Sequence, residues 1–159
     1  MTNAPLKTDW TNSVAQGAAP DEAALREHLR AVHEQYAGFT ESCAMHCRDE
    51  AGRTSYDWLA EAVERERHQV VLDIACGSGQ LLQLCHELLP PAARLIGMDM
   101  SPDELRLAQA RPAADRAELV EGQAQSLDFL ADGSIDVALC HWALTLMDPI
   151  APVLAEVGR

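Results

Sequence analysis

One carboxylate and two glycines, Asp73, Gly77 and Gly79, stand in the stretch VVLDIACGSGQLL (Val70 to Leu82), where an apolar run gives way to a helical pattern. Gly77 and Gly79 permit backbone angles that a Cβ would forbid, and they let main-chain N–H groups approach a bound molecule. A turn of this kind suits a nucleotide-type cofactor. The dinucleotide fingerprint GxGxxG requires a third glycine where this chain has Leu82. A diphosphate would also be repelled by the carboxylate of Asp73, whereas a cation would be attracted to it.

The elements that must position these residues follow from patterning. Val70, Val71, Leu72 and Ile74 form a short apolar run rich in β-branched residues, which predicts a strand covered on both faces. Leu81, Leu82, Cys85, Leu88 and Leu89 then recur at helical period. Arg94 to Asp99, RLIGMD, reads as a second strand ending in an acid, about 20 residues beyond the glycines, where a carboxylate can accept ribose hydroxyls. Ser101, Pro102 and Glu104 provide an N-cap, a proline at the first helical position and a capping-box partner. A third strand is expected over Ala117 to Val120 and a fourth over Ile135 to His141, the latter after the turn signal Asp132-Gly133-Ser134. A helix over Asp148 to Val157 closes the pattern.

In this order the residues resemble class I S-adenosylmethionine-dependent methyltransferases, whose first motif is an acid followed by GxGxG; here it stands as Asp73, Ala75, Gly77 and Gly79, with Ala75 replacing the first glycine. The resemblance covers about Val70 to Gly158. It implies an α/β fold with a Rossmann-like sheet, partial here with about four parallel strands, preceded by N-terminal helices. It further implies S-adenosyl-L-methionine as cofactor, with Asp73 positioning the methionine ammonium and the glycine backbone against ribose and methionine. Asp99 would accept the ribose hydroxyls, beside Met100. Gln123 stands where the family usually has an acid facing the adenine amino group; its amide oxygen can accept the same bond without charge assistance, next to Ala124. The match after the fourth strand also implies Cys140 as a cofactor-binding residue, and His141 is the candidate catalytic base, since an imidazole titrates near neutral pH. The alternative for His141 is simple packing at a strand end. Where many small-molecule members carry paired histidines, this chain has Thr145 and Leu146.

Three regions are expected: a disordered tail over 1–19, a helical cap over 20–68 and the partial cofactor-binding domain over 69–159. Leu25, Leu29, Val32 and Tyr36 make an amphipathic stripe on a first cap helix. A second cap helix is predicted over Tyr56 to Arg67 with Trp58, Leu59, Ala62 and Val63 inward, and Tyr36 and Phe39 are candidate lid residues. Cys43, His46 and Cys47 share one side of a helix, but without a fourth ligand, a CxxC pair or an HExxH motif no metal is expected. Cys76 and Cys85 read as small apolar residues.

Twelve basic against twenty-five acidic residues among 159 give a formal charge of −13, which opposes binding to nucleic acid or anionic membranes. No run approaches the ~18 apolar residues of a membrane span, and five irregularly spaced cysteines suit a reducing, cytoplasmic setting. The expected function is methyl transfer to a small-molecule acceptor. The alternatives are a non-catalytic or regulatory module that binds the cofactor or its demethylated product, and an oxidoreductase using a nicotinamide cofactor on the same fold. A fourth strand at the sheet edge would leave Ile135, Val137 and Leu139 exposed, each worth roughly 1.5–3 kcal/mol when buried. Either a missing continuation of the chain or a homodimer through the open edge is expected to cover it, unless the chain is a reduced relative. Asp99→Ala is expected to weaken S-adenosylmethionine binding by more than about tenfold, ~1.4 kcal/mol, in calorimetry. Unchanged affinity would remove the ribose contact.

Overall fold

The computed structural model describes residues 6–159. Four strands, β1 (Val70–Ile74), β2 (Arg94–Asp99), β3 (Ala117–Glu121) and β4 (Val137–Leu139), make one sheet in the order β3-β2-β1-β4 with every pairing parallel. This is the doubly wound, Rossmann-like α/β arrangement, and its two central strands, β1 and β2, are buried along nearly their whole length. Register sets Leu72 of β1 opposite both Ile96 and Ala138, and Asp73 opposite Gly97 and Leu139. Alternation along β1 and β2 then divides the core. Val71 and Leu95 pack under α4 (Ser55–Glu61) and α5 (Gln80–Leu88), with Ala60, Leu81, Leu82 and Cys85. Leu72, Ile74, Ile96 and Met98 face the other way, onto Leu127, Leu130 and Val153 of the closing helix α7 (Ile150–Val157).

Before the sheet come α1 (Asp9–Ala15), α2 (Glu22–Tyr36), α3 (Phe39–His46) and α4; α6 (Pro102–Gln109) links β2 to a 3-10 turn at Pro112–Asp115. The region expected to be a disordered tail holds a helix. Residues 1–5 lie outside the described residues, and Asp9–Ala15 is helical because Thr8 and Thr11 form a reciprocal capping box, while Trp10 stacks on His28 of α2 at 4.6 Å. The stripe Leu25, Leu29, Val32 and Tyr36 is half-buried along α2.

The second predicted cap helix is shorter and differently phased. Thr54 and Asp57 close a capping box that starts α4 at Ser55, so Tyr56, Ala60 and, beyond the helix end, Val63 point inward. Trp58 is therefore outward, 56% exposed, its Nε1 donating to Asp49 at 3.2 Å under the guanidinium of Arg53. The helix ends at Glu61, and the ring Nδ1 of His68 accepts from the Glu64 N–H at 3.0 Å.

β4 is confined to Val137–Leu139 rather than the predicted Ile135 to His141, because it pairs with β1 alone. Its approach is anchored by Asp136, whose carboxylate accepts from the N–H groups of Gln69 and Val70 at 2.7 and 2.8 Å and is thereby held below the usual carboxylate range. α7 begins at Ile150, two residues later than predicted, buries Val153 and leaves Leu154 and Val157 exposed.

Gly97 marks the tightest place in this packing. A Cβ there would lie 2.4 Å from Leu82 Cδ1 and 3.0 Å from Cys76 Sγ. Gly97→Ala is therefore expected to destabilise the fold by about 1–3 kcal/mol, read from the midpoint of urea unfolding.

Candidate functional site

At the C-terminal ends of β1 and β2, beneath α2 and α3, two cavities share a wall made by His33, Ala75, Asp99, Ala143 and Leu146. Ligands of open α/β sheets bind in such a crevice. Asp73, near the end of β1, is 1% exposed, and neither of its side-chain oxygens has a hydrogen-bond partner. Burial pushes its carboxyl well above the usual range, and the charge of Asp99 adds to this. Asp99 terminates β2 and is differently placed: Oδ2 accepts from Gly77 N–H and Oδ1 from Ser101 N–H, both at 2.8 Å. Burial raises its pKa, and the two main-chain bonds partly oppose the rise.

The turn between them is built from left-handed backbone. Ala75, Gly77 and Gly79 have φ of 55, 53 and 80°. Ala75 holds this conformation in spite of its Cβ, at a cost of about 1 kcal/mol. The N–H of Cys76 donates to Met98 O at 2.9 Å, which seats the turn on β2. Gly77 lines the polar cavity with Asp73, whereas Gly79 lines neither cavity. A Cβ on Gly79 would meet Ala108 Cβ at 2.9 Å, so that glycine serves the contact of α5 with α6.

Leu25 and Leu29 from α2 close the second, more apolar cavity over Met98, Met100, Gln123 and Ala124. Cys140 lines neither cavity; its thiol turns to the main-chain N–H groups of Ala143 and Leu144, and burial raises its pKa. His141 lines the polar cavity and is 7% exposed. Its Nε2 lies 2.8 Å from Ser55 Oγ, its ring stacks on Tyr56 at 3.8 Å and on Trp142 at 4.9 Å, and its buried Nδ1 has no partner. Burial lowers the imidazole pKa, so the ring is neutral at pH 7. Trp142 follows in left-handed backbone, φ 57°.

Tyr36 and Phe39, the predicted lid residues, line neither cavity, and Phe39 is 59% exposed; Leu25, Leu29 and His33 of α2 take that place. Glu104, read from the sequence as a capping partner, is 2% exposed and reaches across to the cap instead. Its Oε1 accepts from Gly38 N–H at 2.9 Å and lies 2.9 Å from His33 Nδ1, and this bond raises the His33 pKa. Ser101 does cap α6, its Oγ accepting from Glu104 N–H at 3.3 Å, but the N–H of Ser101 is taken by Asp99. Glu41 of α3 bonds both Ser78 Oγ in the glycine turn and Arg111, which also donates to Ser78 O at 2.5 Å and Gln80 Oε1 at 2.8 Å. Glu104 and His33 are 71 residues apart in sequence and Arg111 and Glu41 are 70 apart, and no local signal announces either pair. Cys43 and Cys47 are exposed, the His46 ring bonds the Ser42 carbonyl, and among the described residues no three His, Cys, Asp or Glu side chains are grouped to hold a metal ion.

The family described as a methyltransferase domain matches residues 71–159, over half the chain. A demethylmenaquinone methyltransferase of Symbiobacterium thermophilum is 33% identical over 93 residues, 56% of this chain and 37% of that protein. A trans-aconitate 2-methyltransferase of Escherichia fergusonii is 33% identical over 113 residues, 67% of this chain and 43% of that protein. The chain thus spans about two fifths of the length of these relatives. Among solved structures, a methyltransferase of Geobacter sulfurreducens in complex with S-adenosyl-L-homocysteine is similar with TM-score 0.52 and 26% identity, covering 65% of this chain and 42% of that one. The YcgJ protein of Bacillus subtilis shares the fold at TM-score 0.58 and 22% identity, over 66% of this chain and 44% of that one.

An unpartnered buried acid has a measurable signature. Because the folded pKa of Asp73 is raised above its usual 3.8, the unfolded chain loses that proton first as pH climbs, and the contribution of Asp73 to stability falls from about pH 4 upward. Asp73→Asn is expected to be more stable than the wild type at pH 7 and to flatten that part of the stability–pH curve in urea titrations.

Proposed function

This chain belongs to the S-adenosyl-L-methionine-dependent methyltransferases, and we propose that its paired cavities bind that cofactor for methyl transfer to an uncharged small-molecule acceptor. The observation that carries the reading is Asp73: both oxygens buried, neither bonded, at the strand end that faces the glycine turn. A carboxylate left in that state gains from a cationic, N–H-rich partner, and an ammonium supplies both. The residues present fit the cofactor. Asp73 and the main chain of Ala75 and Gly77 would hold its methionine end, Asp99 its ribose, and Met100, Gln123 and Ala124 its base. Asp99 can serve there while bonded to Gly77 and Ser101, because a carboxylate has about four acceptor sites. Gly79 and Cys140 act behind this surface, one through helix packing and the other through the turn after β4.

When bound, the cofactor supplies an electrophilic methyl group on a sulfonium. The chain supplies position and dryness. Leu25 and Leu29 exclude water from one cavity, and the mutually stacked rings of Tyr56, His141 and Trp142 line the other. His141, kept neutral by burial, can take the proton of an acceptor hydroxyl or amine. Glu41, Asp73, Asp99 and Glu104 around the polar cavity oppose a polyanionic acceptor. The relatives named for demethylmenaquinone and trans-aconitate support a small molecule, and the acidic wall favours the uncharged type.

Calorimetry with S-adenosylmethionine and its demethylated product, followed by a methyl-transfer screen over phenols, quinols, amines and carboxylates, tests this. Binding with transfer to an uncharged acceptor is expected, and His141→Gln should lower kcat by about 100-fold while leaving cofactor affinity unchanged. Absence of binding overturns the reading. Binding without transfer to any acceptor assigns the chain to the non-catalytic class.

A further inference from the structure

The capping box that opens α4 also builds one wall of the site. Thr54, 2% exposed, donates through its N–H and Oγ1 to Asp57 Oδ2 at 2.7 and 2.8 Å, and Asp57 N–H returns a bond to Thr54 Oγ1 at 3.3 Å. The two residues inside the box, Ser55 and Tyr56, are thereby fixed at the first helical positions. Ser55 places its Oγ 2.8 Å from His141 Nε2, and Tyr56 lays its ring over the imidazole at 3.8 Å. With Trp142 on the ring as well, the imidazole plane is held and only its protonation pattern stays open.

Two tautomers are compatible with the Ser55 contact. If Ser55 donated to Nε2, the ring proton would sit on Nδ1, a buried N–H with no acceptor. If Nε2–H donates to Ser55 Oγ, Nδ1 presents a lone pair instead. A buried N–H without a partner is the rarer and costlier of the two states, and the proton on one ring nitrogen is set by the bond that nitrogen makes. Ser55 is half-buried, so its own hydroxyl proton can be given to water.

We propose that Ser55 is a positioning residue: it accepts from Nε2–H of His141, fixes that tautomer and leaves the Nδ1 lone pair as the proton-accepting atom of the site. This rests on the reading of His141 as the base. The side chain lines the cavity that holds Asp73, and with Nε2 engaged by Ser55 its one unpartnered ring nitrogen is Nδ1. The ionisable groups that face the ring are Tyr56, stacked on it, and Glu41, Asp73, Cys76, Asp99, Glu104 and His33 around the same cavity. Ser55 carries no charge, so it sets the tautomer without adding to that field.

Long-range proton–nitrogen NMR of the full chain with labelled histidine reads this directly, His141 being assigned among six histidines by its loss in His141→Gln. In the wild type the proton is expected on Nε2. In Ser55→Ala the two tautomers should mix and the ring pKa fall further, while Ser55→Thr should restore the wild-type pattern. With the acceptor in hand, Ser55→Ala should lower kcat by on the order of tenfold with cofactor affinity unchanged and the basic-form limb of the pH profile displaced to lower pH. A wild-type proton on Nδ1 overturns the proposal, and that spectrum decides even if Ser55→Ala fails to fold. An unchanged tautomer in folded Ser55→Ala overturns it too. Failure of the cofactor reading appears separately, as absent binding heat in calorimetry.

Discussion

A buried carboxylate with nothing to bond organises this molecule. Asp73 stands at the end of the central strand because parallel register brings the ends of β1 and β2 level, and the chain must then leave the sheet through a turn tight enough to reach α5. The turn brings main-chain N–H groups to Asp99 but none to Asp73. Two acids on adjacent strands therefore have different states: one saturated by backbone donors, one left to burial and to its neighbour's charge. That asymmetry opposes stability in the protein without a ligand.

The cap is tied to the crevice by charge and hydrogen bonding, and to the core by Ala44, Tyr56, Ala60 and Val63. Glu104 ties α6 to His33 and to the start of α3, and Arg111 with Glu41 ties the glycine turn to α3. Both acids are well shielded, so each must keep its partner, and loss of one partner would strand a charge. The half-buried leucine stripe of α2 supplies the apolar remainder over the base-side cavity. Two non-glycine residues in left-handed backbone, Ala75 and Trp142, follow the two neighbouring strands β1 and β4 and flank the same crevice. Strain of this kind persists where the surroundings fix the chain, and here both positions turn a backbone toward the site.

Much of the fold is legible from the residues alone. β2 falls on RLIGMD and β1 on VVLDI, where the apolar runs predict them. Boundaries depart from the local pattern where tertiary contact overrides it. β4 shrinks because it has one neighbour, and α4 turns Trp58 outward because the Thr54–Asp57 box sets its phase. The first nineteen residues lack a core pattern, yet Thr8 caps a helix that Trp10 fastens to α2.

The sequence by itself determined the acid at the end of β1, the permissive turn and the second acid about twenty residues on, because these depend on residue type and local period. It also placed His141 at a strand end. Only the tertiary structure decided which groups meet: Ser55 with His141 across 86 positions, Glu104 with His33 across 71, and Gly79 with a neighbouring helix rather than the cavity. A side chain's bonding state is a property of its neighbours in space. Asp73 and Asp99 read alike as letters, and only packing leaves one of them without a donor.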